Sequence, residues 1–321
     1  AWLIQSISLM NKVGAEVSVA HSIGVRNYEE AKLYASHNLT MALCISLALG
    51  CILFVFAPSF IGLYGLSEDI ANQAIEYLRI IATGFPLVFL ASAFTGIHNA
   101  AGMSKIPFYV SGSGLMMNMI LDPLFILGFG WGTAGAAYAT WLSQFTVVLL
   151  FLYQVKIKKR LWEDFPLFTP MKRRFCARII RLGLPVALLN SFFAIINLLM
   201  GRTATTYGGH IGLMALTAGG QIEAIAWNTS QGFSTALSTF TAQNYAARRK
   251  ERIDAAYRTT LWMTSVFGLI CTLLFVFWGS DLFSLFVSET AAYQAGGEFL
   301  RIDGYSMMFM MIEITMQGLF Y

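Results

Sequence analysis

Asp122 occupies the position in this chain that most needs a chemical reason. It ends the run Asn118-Met-Ile-Leu-Asp122-Pro123 in strongly apolar sequence. A carboxylate at mid-membrane depth costs about 2.5–3.5 kcal/mol on insertion scales. Asn118 precedes it by four residues, which puts both on one face of a helix. Pro123 takes one N–H out of the helical ladder and so frees a carbonyl to act as a ligand. The turn that follows centres near Gly130-Trp131-Gly132, with Asp122 nine residues before Trp131 and Thr140 nine after it. In a helical hairpin both then lie about 13 Å from the turn. Asn118, Asp122 and Thr140 can therefore offer oxygens at matched depth, the ligands that a hard cation such as Na⁺ takes. An aspartate so placed can also carry a proton. A plainer reading stands beside this one: Asp122 caps the break at Pro123, and Asn118 bonds a neighbouring helix.

Two further acids lie deep in apolar sequence, Glu223 and Asp303. Counted along their helices, they sit about 18 and 15 Å from the outer surface. Either they share a polar site, or they neutralise Arg202 and Arg301. Glu313 falls near the opposite end of its segment, where it can face water. His21, His37, His98 and His210 are isolated, and none forms a metal spacing such as His-Glu-x-x-His. Gly112-Ser113-Gly114 lacks the full dinucleotide fingerprint and reads as close helix packing. Cys44, Cys51, Cys176 and Cys271 show no paired spacing and read as apolar fillers. No nucleophile–base set, phosphate loop or metal motif is present. The expectation is a protein that is not an enzyme, needs no cofactor and holds no metal beyond a coupling ion.

These residues need a frame that spans lipid. The chain is 57% hydrophobic and only 12% charged, against roughly 25% charged in soluble domains. A soluble core cannot absorb that much apolar surface, and lipid admits only helices or closed barrels. The charge-free stretches are too long for barrel strands. Helices are expected near 1–24, 34–63, 71–101, 106–129, 133–155, 179–206, 211–240, 256–287 and 293–321. Alternating loops gather Arg26, Lys32, Lys105, the Lys156–Arg181 cations and the Arg248–Arg258 cations on one side. The other side holds only Arg79, Arg202 and Arg301. The first side is cytoplasmic by the positive-inside rule. The long basic loop around Lys156–Lys159 and Lys172–Arg174 reads as a linker near anionic lipid rather than a nucleic-acid patch.

The frame is duplicated. Glu76-Tyr-Leu-Arg-Ile80 returns as Glu298-Phe-Leu-Arg-Ile302, an offset of 222 residues. The same offset pairs Ala20 with Ala242, Arg26 with Arg248, Glu29 with Glu251, Leu63 with Leu285 and Gly96 with Gly318. Six spans separate the two copies, so both face the same way and form parallel repeats. The expected division is an N-lobe at 1–155, a cytoplasmic linker at 156–177 and a C-lobe at 178–321. Extrapolating the repeat gives twelve helices, of which this chain supplies the second to the tenth, truncated at both ends. The acids are not duplicated: Asp303 maps back to Ile81 and Glu313 to Ala91.

The chain resembles the multidrug and toxic compound extrusion (MATE) family. The likeness rests on Gly96-Ile-His-Asn-Ala-Ala-Gly-Met-Ser-Lys-Ile-Pro107, on Asn118-Met-Ile-Leu-Asp122-Pro123 and on Gly132-Thr-Ala-Gly-Ala-Ala-Tyr-Ala-Thr140. It implies an all-α polytopic membrane protein with two six-helix bundles around a central V-shaped cleft. It also implies a plasma-membrane antiporter that exports organic, often cationic or amphipathic compounds in exchange for H⁺ or Na⁺. Asn118, Asp122 and Thr140 match family positions for an N-lobe cation site. Some members carry a glutamate on the seventh helix, but segment 179–206 has no carboxylate, only Asn190 and Asn197 nearby. A small-molecule substrate, contact with membrane lipid and a monomeric state are expected, with no nucleic-acid partner. The alternatives are a lipid-linked oligosaccharide flippase of the same superfamily and, in another class, a non-transporting membrane scaffold.

Overall fold

A computed structural model describes residues 2–62, 68–156, 166–287 and 289–320. Leu63 and the cations Lys158, Lys159 and Arg160 of the linker lie outside the described residues. Described residues form helices α1 (Trp2–Gly24), α2 (Tyr28–Val55), α3 (Ala57–Gly62), α4 (Glu68–Ala100), α5 (Lys105–Pro123), α6 (Gly132–Lys156), α7 (Arg173–Ala246), α8 (Lys250–Ser284) and α9 (Thr290–Phe320). The continuous 74-residue run of α7 is two helices in fact: Gly209 breaks it with φ 58° and ψ −145°. Only glycine adopts that conformation cheaply. The arms then fold back closely, since a Cβ at Gly212 would lie 2.7 Å from the Ala204 carbonyl oxygen. The segments expected at 179–206 and 211–240 are these two arms.

Two compact units emerge: Ile4–Ala187, and Leu188–Tyr321 with Ala1–Leu3. In the first, Tyr34, Leu39, Phe89, Phe94 and Phe151 are fully buried, and Phe94 stacks on Phe151 at 5.6 Å between ring centres. In the second, Ile222, Cys271, Phe275, Phe283, Leu300, Met307 and Met311 form the core. Among the described residues, six helical runs are long and apolar enough to cross a membrane: those at 28–55, 71–100, 105–128, 132–156, 173–246 (both arms of α7) and 250–284. Helices α1 and α9 fall outside that set. Both carry several polar side chains, among them Asn11 and Glu16 on α1 and Asp303 on α9, and Asn11 and Glu16 are buried. The polar side chains of α1 turn into its unit, whereas α5 turns apolar residues outward. Phe108, Tyr109, Leu115, Met116, Met119 and Ile120 are 63–72% exposed, a face suited to lipid.

The duplication is visible in the backbone. Among the described residues the only non-glycine positions with positive φ are Arg26 (58°) and Arg248 (57°), the pair that the 222-residue offset matches. Each closes its helix with the same bonds. Val25, Arg26 and Asn27 donate to the carbonyls of His21, Ile23 and Ser22 at 3.1, 2.9 and 2.9 Å. Ala247, Arg248 and Arg249 donate to Gln243, Tyr245 and Asn244 at 3.1, 3.0 and 2.8 Å. This left-handed closure satisfies the last carbonyls of a helix.

Helix contacts repeat as well. A Cβ at Gly96 would meet Lys12 (Cγ at 3.0 Å, carbonyl oxygen at 3.1 Å), and one at Gly318 would meet the Ser234 carbonyl oxygen at 2.5 Å. Lys12 and Ser234 are themselves one offset apart, so the same pair of helices touches at the same level in each half.

Candidate functional site

Pro123 ends α5 and has no N–H to give back to the Met119 carbonyl, so the helix cannot continue in register. It widens instead into one π-turn, Leu124–Gly128, where the Phe129 N–H reaches the Leu124 carbonyl at 2.9 Å. The chain turns at Gly130 and Gly132, both with positive φ. Helix α6 returns tightly along α5. A Cβ at Gly135 would lie 2.8 Å from the Phe125 carbonyl oxygen, and one at Gly114 would strike the Val147 side chain. Of the Gly112-Ser113-Gly114 run, only Gly114 serves close packing; Gly112 faces open space. Phe125, Phe129, Trp131 and Tyr138 cluster at the turn with ring centres 5.2–5.8 Å apart, as aromatic side chains do at a membrane interface.

This hairpin and α4 enclose a pocket of about 310 Å³. Asn118 and Thr140 both line it, with Ser92, Thr95, Ser111, Ser143 and Gln144 as the other polar side chains. The Asn118 carboxamide donates to Asp122 Oδ1 at 3.3 Å. Asp122 does not line the pocket itself and joins it through Asn118. That hydrogen bond runs along α5, between residues one helical turn apart. Thr140 donates its hydroxyl proton to the Ala136 carbonyl at 3.0 Å, and Thr95 donates to Ala91 at 2.8 Å. A hydroxyl whose proton is held by its own helix has its lone pairs left for a ligand. Ser143 Oγ is buried and has no hydrogen-bond partner. The pocket thus offers amide and hydroxyl oxygens, and no lysine or arginine lines it.

Ser143, Ser111 and Thr95 were not singled out by sequence reasoning. The signal for two of them was helical period: Ser111, Asn118 and Asp122 form one stripe on α5, and Thr140, Ser143 and Gln144 form another on α6.

In the second unit, α9 lies beside the later arm of α7. A Cβ at Gly219 would touch the Phe299 ring at 2.5 Å. One turn further on each helix stand Glu223 and Asp303. The Ser306 hydroxyl donates to the Asp303 carbonyl at 2.8 Å and approaches Asp303 Oδ1 at 3.5 Å. Asp303 Oδ2 is buried without a hydrogen-bond partner. Among the described residues, neither Glu223 nor Asp303 forms an ion pair with Arg202 or Arg301. Glu313 accepts from Gln317 Nε2 at 3.0 Å and is exposed. His210 pairs with Glu289 at 3.5 Å, a contact that its isolation in sequence did not suggest.

A duplicated helical frame, with six runs among the described residues long and apolar enough to cross a membrane, is that of a polytopic membrane protein. The family model MatE matches residues 1–124 and 183–321, and the chain belongs to that family. It is 26% identical over 317 residues to the probable multidrug resistance protein YoeA of Bacillus subtilis (strain 168), covering 96% of this chain and 68% of that protein. To the probable multidrug resistance protein NorM of Thermotoga maritima it is 27% identical over 334 residues, covering 99% of this chain and 69% of that one. A solved structure of a multidrug resistance MATE family transporter of the MOP superfamily, in an outward-facing conformation, matches with a TM-score of 0.89 at 25% identity. That match covers 99% of this chain and 72% of that one. The protein is accordingly an all-α, multi-pass protein of the plasma membrane.

Proposed function

We propose that this protein is a secondary active antiporter that exports organic, often cationic or amphipathic compounds in exchange for H⁺ or Na⁺. Asp122 binds and releases the coupling ion, with Asn118 and Thr140 as supporting ligands. The observation that carries this reading is the joint placement of Asn118 and Thr140 in one pocket, with Asn118 hydrogen-bonded to Asp122. The names of the similar proteins, two of them multidrug resistance proteins, support export as the direction. A pocket lined by hydroxyls and amides without a fixed cation suits a positively charged occupant better than an anionic lipid headgroup.

The mechanism follows from charge. With the carboxylate ionised, the site binds a proton or Na⁺; once bound, the added charge is neutralised and the oxygens around it are drawn together. A ligand can shift a conformational equilibrium only by its differential affinity for the two states. Alternating access then requires the coupling ion to favour one arrangement of the two lobes and the substrate to favour the other. Glu223 and Asp303 form a second polar site in the C-lobe. No cofactor takes part, and a monomer suffices.

The test is ethidium efflux from vesicles holding the reconstituted protein. Asp122→Asn protein that inserts normally is expected to lose cation-driven efflux; full cation-dependent efflux from that variant sinks the assignment.

A further inference from the structure

The segment just before α7 is seated on α2 by a buried histidine. His37 has no solvent exposure. Its Nδ1 lies 2.7 Å from the Leu33 carbonyl, which can only accept, so Nδ1 donates. Its Nε2 receives the Lys172 backbone N–H at 3.2 Å. One neutral tautomer serves both bonds. The ring stacks on Phe175 at 4.6 Å, and Phe175 meets Tyr34 edge-on at 4.8 Å. Earlier in the segment, the Thr169 N–H donates to Thr40 Oγ1 at 3.2 Å and Ser36 donates to Thr169 Oγ1 at 3.0 Å. Arg178 donates to the Tyr34 hydroxyl at 3.3 Å and lies over its ring. Past this point α7 continues on α1 backbone to backbone: a Cβ at Gly14 would strike the Ile179 carbonyl, and one at Gly183 the Met10 carbonyl.

We propose that Thr169–Arg178 is a latched strap of the first unit, with His37 as its positioning residue. The sequence reads this stretch as linker, but its backbone is bonded at both Thr169 and Lys172 to side chains of α2. The first turns of α7 therefore belong to the first unit, whose limit falls at Ala187, two residues after Pro185 inside the helix. The freedom of the chain between the two units begins there, where a proline removes a helical bond, and not at Thr169–Arg178. This inference concerns how the strap is held and does not depend on which ion or substrate the protein takes.

Limited trypsin digestion of the whole purified protein tests it. Cleavage after Lys172, Arg173 or Arg174 needs the strap to lift, so its rate reads the open population. His37→Phe keeps the stacking surface but loses both hydrogen bonds, and cleavage is expected to rise about tenfold. Thr40→Val, which removes one hydroxyl from α2, is expected to raise it about threefold. His37→Gln, whose amide can still accept from the Lys172 N–H, should stay near the wild-type rate. Cleavage at the exposed Arg248-Arg249-Lys250 turn serves as the internal control and should not change. Unaltered cleavage at the strap in both His37→Phe and Thr40→Val, equal acceleration at both sites, or a Gln variant as labile as the Phe variant would each overturn the latch.

Discussion

The two halves share a backbone but not a chemistry. Arg26 and Arg248 close equivalent helices in the same left-handed conformation with the same three bonds. Gly96 and Gly318 admit equivalent neighbours, Lys12 and Ser234. Yet the first half builds its polar site on α5 and α6 from Asn118, Thr140 and hydroxyls, while the second sets two carboxylates, Glu223 and Asp303, on the later arm of α7 and on α9. The positions that duplication has kept are those where geometry leaves little choice, at chain reversals and close backbone contacts. The positions that differ are those where a side chain faces a pocket. On the proposed function, one half couples to the ion and the other tunes the process.

The comparison breaks most directly at its acids. Asp122→Asn is expected to lower ion-driven ethidium efflux by about a hundredfold or more, the scale for losing a charged ligand at the step that uses it. Glu223→Gln and Asp303→Asn should each lower it about tenfold, and the double variant should be no worse than either single one. Two groups that act as one site are not additive, so multiplied losses in the double variant would separate them.

Packing tests the shared frame. A methyl at Gly318 meets a backbone carbonyl at 2.5 Å, whereas at Gly96 its nearest neighbour is the flexible Lys12 side chain at 3.0 Å. Gly318→Ala should therefore destabilise by about 2–3 kcal/mol and Gly96→Ala by about 1 kcal/mol or less, read as thermal unfolding in detergent. Equal shifts would mean that the two contacts are more alike than their atoms suggest. The smallest effect belongs to the turns. Arg26→Gly and Arg248→Gly each relieve a left-handed residue and should raise stability by under about 1 kcal/mol, equally in both halves.

Much of this was legible in the sequence because it depends on local or periodic signals. The spans follow from apolar runs, and the break at Gly209 falls in the gap between two of them. The 222-residue offset foretold the Arg26–Arg248 pair. Asn118 and Asp122 sit one helical turn apart, so their hydrogen bond could be read from spacing. What could not be read depends on which helices lie side by side. The Gly219–Phe299 contact, which puts Glu223 opposite Asp303, joins residues 80 apart with no shared motif. The bond between His37 and Lys172 spans 135 residues, and nothing near His37 in sequence marks it as more than an isolated histidine. The π-turn after Pro123 was half legible: proline announces a break, but not whether the helix bends, stops or widens.

The division of labour is decided by imposing a pH gradient and a Na⁺ gradient separately on vesicles that hold wild-type, Asp122→Asn or Asp303→Asn protein, with ethidium efflux as the readout. If the first half couples to the ion, one gradient drives efflux in the wild type, the same gradient still drives reduced efflux in Asp303→Asn, and neither drives it in Asp122→Asn. Gradient-driven efflux that survives in Asp122→Asn and disappears in Asp303→Asn would contradict that assignment and move the coupling site to the second half.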